Sequence, residues 1–170
     1  MSTIYQKAPT ETVKLVDSVR RQHHPELERA EVTIDVLVAD NPDADPVTVG
    51  GYPCQAKVKI VSLKDRAKGC RDAEIIIDNT RWQGMNEQQQ RALIDHELHH
   101  LEVQFDGKLV LEDDLGRPKL KMRKHDWQIG WFDIIAKRNG DASPEVRQAR
   151  KLWEKQSQLY FPFVNQQAVS

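Results

Sequence analysis

Residues 86–103 read NEQQQRALIDHELHHLEV, and the fold turns on them. Within this run His96, Glu97 and His100 spell H-E-x-x-H, and no Gly or Pro occurs from Asn86 to Asp106 to interrupt a helix. Asn86 followed three residues on by Gln89 has the pattern of a capping box, so the spacing predicts a helix that starts there and carries the motif. Side chains four apart on an α-helix lie one above the other, so the imidazoles of His96 and His100 converge on one point. Glu97, turned about 100° from His96, flanks that point without having to bind it. Two imidazoles at this spacing hold a zinc ion, and the glutamate beside them takes a proton from the zinc-bound water, which is the signature of a zinc hydrolase. His99 is turned about 100° from His100 and reads as solvent-facing or as a support behind the ligands. Ile94, Leu98 and Leu101 group on one side of the helix for packing, and Asp95, His99 and Glu102 on another.

A catalytic zinc takes three protein ligands and keeps one position open. The remaining histidines are His23, His24 and His125. His23 and His24 follow Arg20 and Arg21 and precede Pro25, the composition of a solvated helix end. His125 lies between a strand-like run and an apolar helix and is the expected third ligand, with Asp126, Asp114 and Glu102 as fallbacks. Asp78, Asp95 and Asp126 are candidates to orient the ligand imidazoles through their second nitrogen. Arg117 or Lys124 are candidates to stabilise an oxyanion, with neither singled out.

Outward from the motif the pattern is α+β. Residues 11–22 carry Val13, Val16 and Val19 at three-residue steps, with Leu15 beside them, which predicts an amphipathic helix. Val32, Ile34, Val36 and Val38 alternate with Thr33, Asp35 and Leu37, as in a strand with one buried face. Residues 41–53, rich in Asp, Pro and Gly, read as a loop. Ala56, Val58 and Ile60 form a second alternating strand, and the polar stretch 64–71 ends it. Residues 74–78, centred on Ile75, Ile76 and Ile77, are a third strand leading toward the motif helix.

Downstream, residues 108–111 and 119–122 flank the turn-rich stretch 113–118 as a hairpin or lid-like excursion that returns the chain to His125. Residues 126–139, stopped by Gly140, and 144–159, begun by Ser143 with Pro144 in the first turn, read as helices. Trp127, Trp131 and Phe132 on the first of these are spaced to bury one face, a core role ahead of a substrate aromatic box. The tail 161–170 has no clear period.

At 170 residues, with 39% hydrophobic and 30% charged, the chain fits one modest core with long polar loops. Its 25 basic and 26 acidic residues give no general pull toward nucleic acid or membrane. Arg117, Lys119, Lys121, Arg123 and Lys124 are concentrated just before His125, and read first as a charged, soluble strand edge. Cys54 and Cys70 form no C-x-x-C pair and read as free thiols of a reducing compartment. Nothing at the N-terminus has the apolar core of a signal peptide, and no run approaches the length of a membrane span, so a cytoplasmic protein is expected.

Several stretches together resemble a known group. They are Gly50-Gly51-Tyr52-Pro53, Lys64-Asp65-Arg66, Asp72-Ala73-Glu74-Ile75, Asp95-His96-Glu97-Leu98, Leu115-Gly116-Arg117-Pro118-Lys119-Leu120 and His125-Asp126-Trp127. Over most of residues 50–140 the chain resembles the Putative phage metallopeptidase family. More distantly it is similar to SprT-like proteases, whose H-E-x-x-H helix is followed by a third His opening a helix with an aromatic three or four residues on. The resemblance implies a bacterial or phage-infected cell and a zincin-like single domain over residues 1–160, its small mixed sheet packed against the motif helix and further helices. It implies His96, His100 and His125 as metal ligands and Glu97 as base. It also implies that residues 74–80 are the sheet edge holding an extended substrate, although three successive Ile equally suit an interior strand.

The expected function is that of a zinc-dependent metallopeptidase acting on a protein or peptide substrate. Two other readings stand beside it: a zinc-stabilised phage or host binding protein without catalysis, and a protease acting on proteins held on DNA.

Overall fold

The structure, a computed structural model, describes residues 3–41, 46–49, 52–126 and 131–160. The chain begins with β1 (Ile4–Lys7), α1 (Thr10–His23), α2 (Pro25–Arg29) and β2 (Ile34–Asp40), then a two-strand ribbon of β3 (Thr48–Val49) and β4 (Tyr52–Pro53). There follow β5 (Ala56–Ile60), α3 (Leu63–Ala67), β6 (Ala73–Asp78), α4 (Asn79–Gln83) and the motif helix α5 (Glu87–His99). The last part contains β7 (Leu101–Val103), β8 (Phe105–Asp106), β9 (Leu109–Val110), β10 (Leu120–Met122), α6 (Asp133–Asn139) and α7 (Pro144–Tyr160). Among the described residues no helix is long and apolar enough to cross a membrane. The tail 161–170 lies outside the described residues.

The architecture is α+β, as expected. The main sheet has the order β1-β2-β6-β5, with β2 and β6 parallel and antiparallel strands at both edges. Strand β6 is buried on both faces because its three isoleucines have somewhere to go on either side. Ile75 and Ile77 join Val36, Val38 and Val58 against Leu93, Ile94 and Leu98 of α5, while Ile76 packs on Ala39 and Val47 across the sheet. Of the two readings of residues 74–80 the interior one therefore holds, and Asn79 and Thr80 leave the strand for α4. The edge beside α5 is β5.

Helix α5 starts where the sequence predicts, with the Asn86 side chain accepting from the Gln89 N–H and the Gln89 side chain accepting from the Asn86 N–H. It stops earlier than an uninterrupted pattern suggests. His100 is its cap, still helical at φ −66° and ψ −24°, and the next residue enters a strand. Leu101 and Val103 alternate inward and pair with Met122 and Leu120, so strand pairing takes over as soon as the motif is complete. Strand β10 thus pairs with β7 and β8 with β9 across Gly107, while the expected excursion around 113–118 closes through the antiparallel Glu112–Pro118 bridge and the Lys119 N–H bond to the Leu111 carbonyl. Residues 41–53 likewise hold the β3–β4 ribbon where a plain loop was expected.

The predicted helix over 126–139 is α6, and it begins only at Asp133. The Asp126 carboxylate accepts from the Asp133 N–H and so stands ahead of the helix as its cap. Trp127 lies outside the described residues. The Trp131 indole donates to Asp133, and Phe132 is fully buried, so helical spacing is not what places these aromatics. Gly140 ends α6 as expected, at φ 51°, a conformation that costs a residue with a Cβ more than glycine.

Two buried polar networks tie these elements together. Arg66, in the stretch expected to be merely polar, is 5% exposed on α3. Its guanidinium donates to the Asp113 carboxylate at 2.7 Å and to the Val61, Asp72 and Pro118 carbonyls. Asp72 accepts from the Thr33 N–H and hydroxyl and pairs with Arg117 at 2.8 Å. The 112–118 excursion is thereby pinned to the end of the sheet.

The second network lies behind the motif. Asp95, expected on a polar face, is 0% exposed and accepts from His24 at 2.8 Å, Arg138 at 2.6 Å and Asn139 at 2.9 Å. His24 is accordingly buried and not solvated, because it joins the end of α1 to α5.

Removing one partner of a buried charge network leaves the others uncompensated, so Arg66→Ala should cost about 3–5 kcal/mol of stability in urea unfolding. The His24–Asp95 pair makes a pH-dependent prediction. Burial pushes the His24 ring down, but its hydrogen bonds to Asp95 and Glu26 leave it raised above the ordinary 6.5. Its contribution is full below 6.5 and is lost as pH rises through the folded value. Burial pushes Asp95 up, yet His24, Asn139 and Arg138 hold it below 3.8, so its contribution is present above 3.8 and lost as pH falls through its folded value. In chelator-treated protein, His24→Gln should therefore cost more near pH 5.5 than near pH 9, and equal costs at about these two values would contradict a proton shared across this pair.

Candidate metal centre

The backbone brings the three expected histidines together in two steps. Helix α5 stacks His96 and His100 one turn apart. The β7–β10 ladder then sets Met122 opposite Leu101, and the Arg123 N–H donates to the His100 carbonyl at 2.7 Å. His125 follows two residues later, beside the motif. One ligand nitrogen from each of His96, His100 and His125 lies within 4.8 Å of the others, and the Nε2 atoms of His96 and His125 are 3.2 Å apart. His125 is the least buried of the three.

Two of these rings have their orientation fixed from behind. His96 Nδ1 donates to the Glu145 carboxylate at 2.7 Å, and His100 Nδ1 donates to the Arg123 carbonyl at 2.9 Å. Neither a carbonyl nor a carboxylate oxygen can donate in return, so each ring in its neutral form presents an unprotonated Nε2 to the space between them. Phe132, 0% exposed, packs its ring 4.8–5.1 Å from the centroids of all three imidazoles and closes that side against water.

Proton affinities follow the same geometry. Burial pushes His100 down to about 4 and also lowers His125, with the neighbouring His96 adding to both shifts. His96 is pushed down by burial but is raised overall by its Glu145 hydrogen bond and the charges of Glu97 and Glu145. Glu97, 5% exposed, is raised by burial although the His96 charge and a hydrogen bond from the Val58 N–H pull the other way. It sits between the three histidines and edge strand β5. Three imidazole nitrogens with two protons fixed away from the centre suit a divalent transition ion. Among the described residues no fourth protein donor joins them.

The other sequence candidates are placed elsewhere. Asp114 is exposed, Glu102 lies 3.9 Å from Arg123, and Asp126 caps α6, so none of the three fallback ligands enters the cluster. Asp78 caps α4, accepting from the Arg81 N–H, and also accepts from the Val47 N–H. Asp95 holds His24, so no candidate aspartate orients a ligand ring. Arg117 is bound to Asp72 and to the Cys70 carbonyl, and Lys124 is exposed, which leaves neither aimed at the histidines by any contact.

His99 is half-buried, with Arg123 Nη1 2.8 Å from its Nε2, and burial followed by the Arg123 charge pushes it down to about 4. Cys54 and Cys70 are free. The residues missed from sequence are Glu145 and the Arg123 carbonyl. An acid in the first turn of a helix begun by Ser143 and Pro144 has a sufficient local explanation, so nothing marked Glu145 out. A separate cavity of about 380 Å³, lined by Arg29, Thr33, Asp72, Glu112 and Arg117, contains none of the three histidines.

No curated protein and no solved structure matches the chain. A family model does, over residues 3–156 and thus most of the chain, and its description is Putative phage metallopeptidase. With a buried glutamate beside three clustered imidazoles, the chain belongs to the Putative phage metallopeptidase family.

Proposed function

We propose that the protein is a zinc-dependent peptidase in which His96, His100 and His125 hold the ion and Glu97 is the catalytic base. The observation that carries this reading is three converging imidazole donors, with no fourth protein donor among the described residues, beside a buried carboxylate. An ion bound there supplies Lewis acidity toward a peptide carbonyl and toward water. Glu97 takes a proton from the attacking water and passes it to the leaving amine, and its raised proton affinity suits it to hold that proton between the two steps. The Nδ1 bonds of His96 and His100 keep both rings aimed during the reaction.

Substrate is held along β5. The Asp78 N–H donates to the Gln55 carbonyl and the Val61 N–H to the Asp72 carbonyl, so by antiparallel alternation residues 55, 57, 59 and 61 bond inward to β6. Ala56, Val58 and Ile60 then turn their N–H and C=O groups outward; the Val58 N–H is taken by Glu97, and an extended peptide pairs with the groups that remain, those of Ala56 and Ile60 and the Val58 carbonyl. The domain extends over residues 1–160 and works in the cytoplasm of a bacterial or phage-infected cell.

Three donors, with no fourth among the described residues, argue against the purely structural zinc site of a non-catalytic binding protein, which closes with four. The exposed Lys119 and Lys121, the first just ahead of β10 and the second on it, favour as a second reading a protease whose protein substrates sit on DNA. Salt-dependent DNA binding that weakens when these two are neutralised supports this second reading, and absent or salt-independent binding removes it.

Glu97→Gln should keep zinc while slowing hydrolysis of an unfolded protein such as casein by roughly 10²–10⁴-fold. Cleavage at the wild-type rate by this variant would place the base elsewhere. His125→Ala should lower the zinc content of purified protein, measured by elemental analysis, and an unchanged content would exclude His125 as a ligand.

A further inference from the structure

We propose that Glu145 is a positioning residue of the metal centre, through which an ion on His96, His100 and His125 and the docking of helix α7 hold each other in place. The inference rests on the reading of those three histidines as the ligands.

Three observations carry it. The Glu145 side chain is 0% exposed, and its Oε1 lies 2.7 Å from His96 Nδ1. Among the described residues no Lys or Arg forms an ion pair with it, and its second oxygen, Oε2, is buried without a hydrogen-bond partner. A buried carboxylate whose one partner is an imidazole is costly, and it is stabilised when fixed positive charge arrives on the far side of that imidazole. An ion at His96 Nε2 supplies that charge and strengthens the Nδ1–H···Oε1 bond, while the carboxylate makes His96 a better donor to the ion.

The third observation concerns α7 itself. Ser143, 0% exposed, caps it through the Val146 N–H, and Glu145 is the deepest side chain of its described part. From Arg150 to Glu154 every residue is exposed, including Trp153 at 72%. Among the described side chains the helix is therefore anchored on the body by its first turns, where Glu145 meets His96. Coupling of this kind is reciprocal: if the docked helix tightens the site for its ion, the ion tightens the docking by the same factor.

The test measures zinc affinity by competition with a chromophoric chelator for wild type, Glu145→Gln and Glu145→Ala. It is combined with hydrogen exchange of the amides of residues 146–149, with and without zinc. Glu145→Ala should weaken zinc binding by roughly 10- to 100-fold. Glu145→Gln, which keeps an oxygen acceptor but no charge, should fall between it and wild type. Zinc should slow exchange at residues 146–149 in wild type and no longer do so in Glu145→Ala, while exchange in β6 of the zinc-free proteins stays the same and reports an intact core. Wild-type zinc affinity in both variants, or exchange at 146–149 indifferent to zinc in wild type, would overturn the inference and leave the peptidase reading standing. Failure of wild type itself to bind zinc at the three histidines would remove both.

Discussion

The candidate metal centre depends on three residue pairs of backbone ladder, Leu101 with Met122, Glu102 with Lys121 and Val103 with Leu120. An H-E-x-x-H helix alone offers two imidazoles, and nothing in its own geometry produces the third. The ladder does so by starting at the residue after the motif. Because β7 leaves the helix at His100, its antiparallel partner necessarily ends beside His100, and whatever follows that partner is delivered to the site. The same pairing positions the Arg123 carbonyl that orients the His100 ring. One short stretch of backbone bonding thus supplies one histidine of the cluster and the support for another.

Around this ladder the protein places buried carboxylates where they restrain something the core cannot. Asp95 fixes the helix one residue before His96, gathering His24, Arg138 and Asn139 from two other helices. Glu145 fixes the His96 ring itself. Asp72 stands at the opposite end of the sheet and, with Arg66 and Arg117, holds the excursion between the two ladder strands. Apolar packing of Leu93, Ile94 and Leu98 on β6 gives α5 its depth, but apolar contact is non-directional. Charge-assisted hydrogen bonds fix direction, and that is where they are found.

The legible part of the molecule was whatever a local pattern determines. The capping box of Asn86 and Gln89, the Gly140 stop, the Ser143–Pro144 start and the alternation of β2 and β5 all act over a few residues, and the structure agrees with them. The meeting of His96, His100 and His125 was inferred from motif spacing and resemblance. What the sequence did not disclose depends on partners distant along the chain. His24 looked like a solvated helix end because its partner Asp95 is 71 residues away, and Glu145 looked like an ordinary first-turn acid because His96 is 49 residues away. The start of α6 at Asp133 was hidden because Trp131 and Phe132, which lie ahead of it, have the spacing of a helical face in the sequence.

The pinned excursion between β7 and β10 has a consequence for how this protein tolerates variation in length. Residues 104–119 leave one ladder strand and return on its partner, so the spacing between the second and third histidines along the chain is not what fixes their separation in space. Residues can be gained or lost at the β8–β9 tip, at Gly107 and Lys108, as long as the ladder register and the Arg66–Asp113 contact survive. A search for further members by a fixed interval between His100 and His125 would therefore miss chains with the same centre. The invariant to look for is an apolar pair directly after the motif, answered by an apolar pair just ahead of the distant histidine.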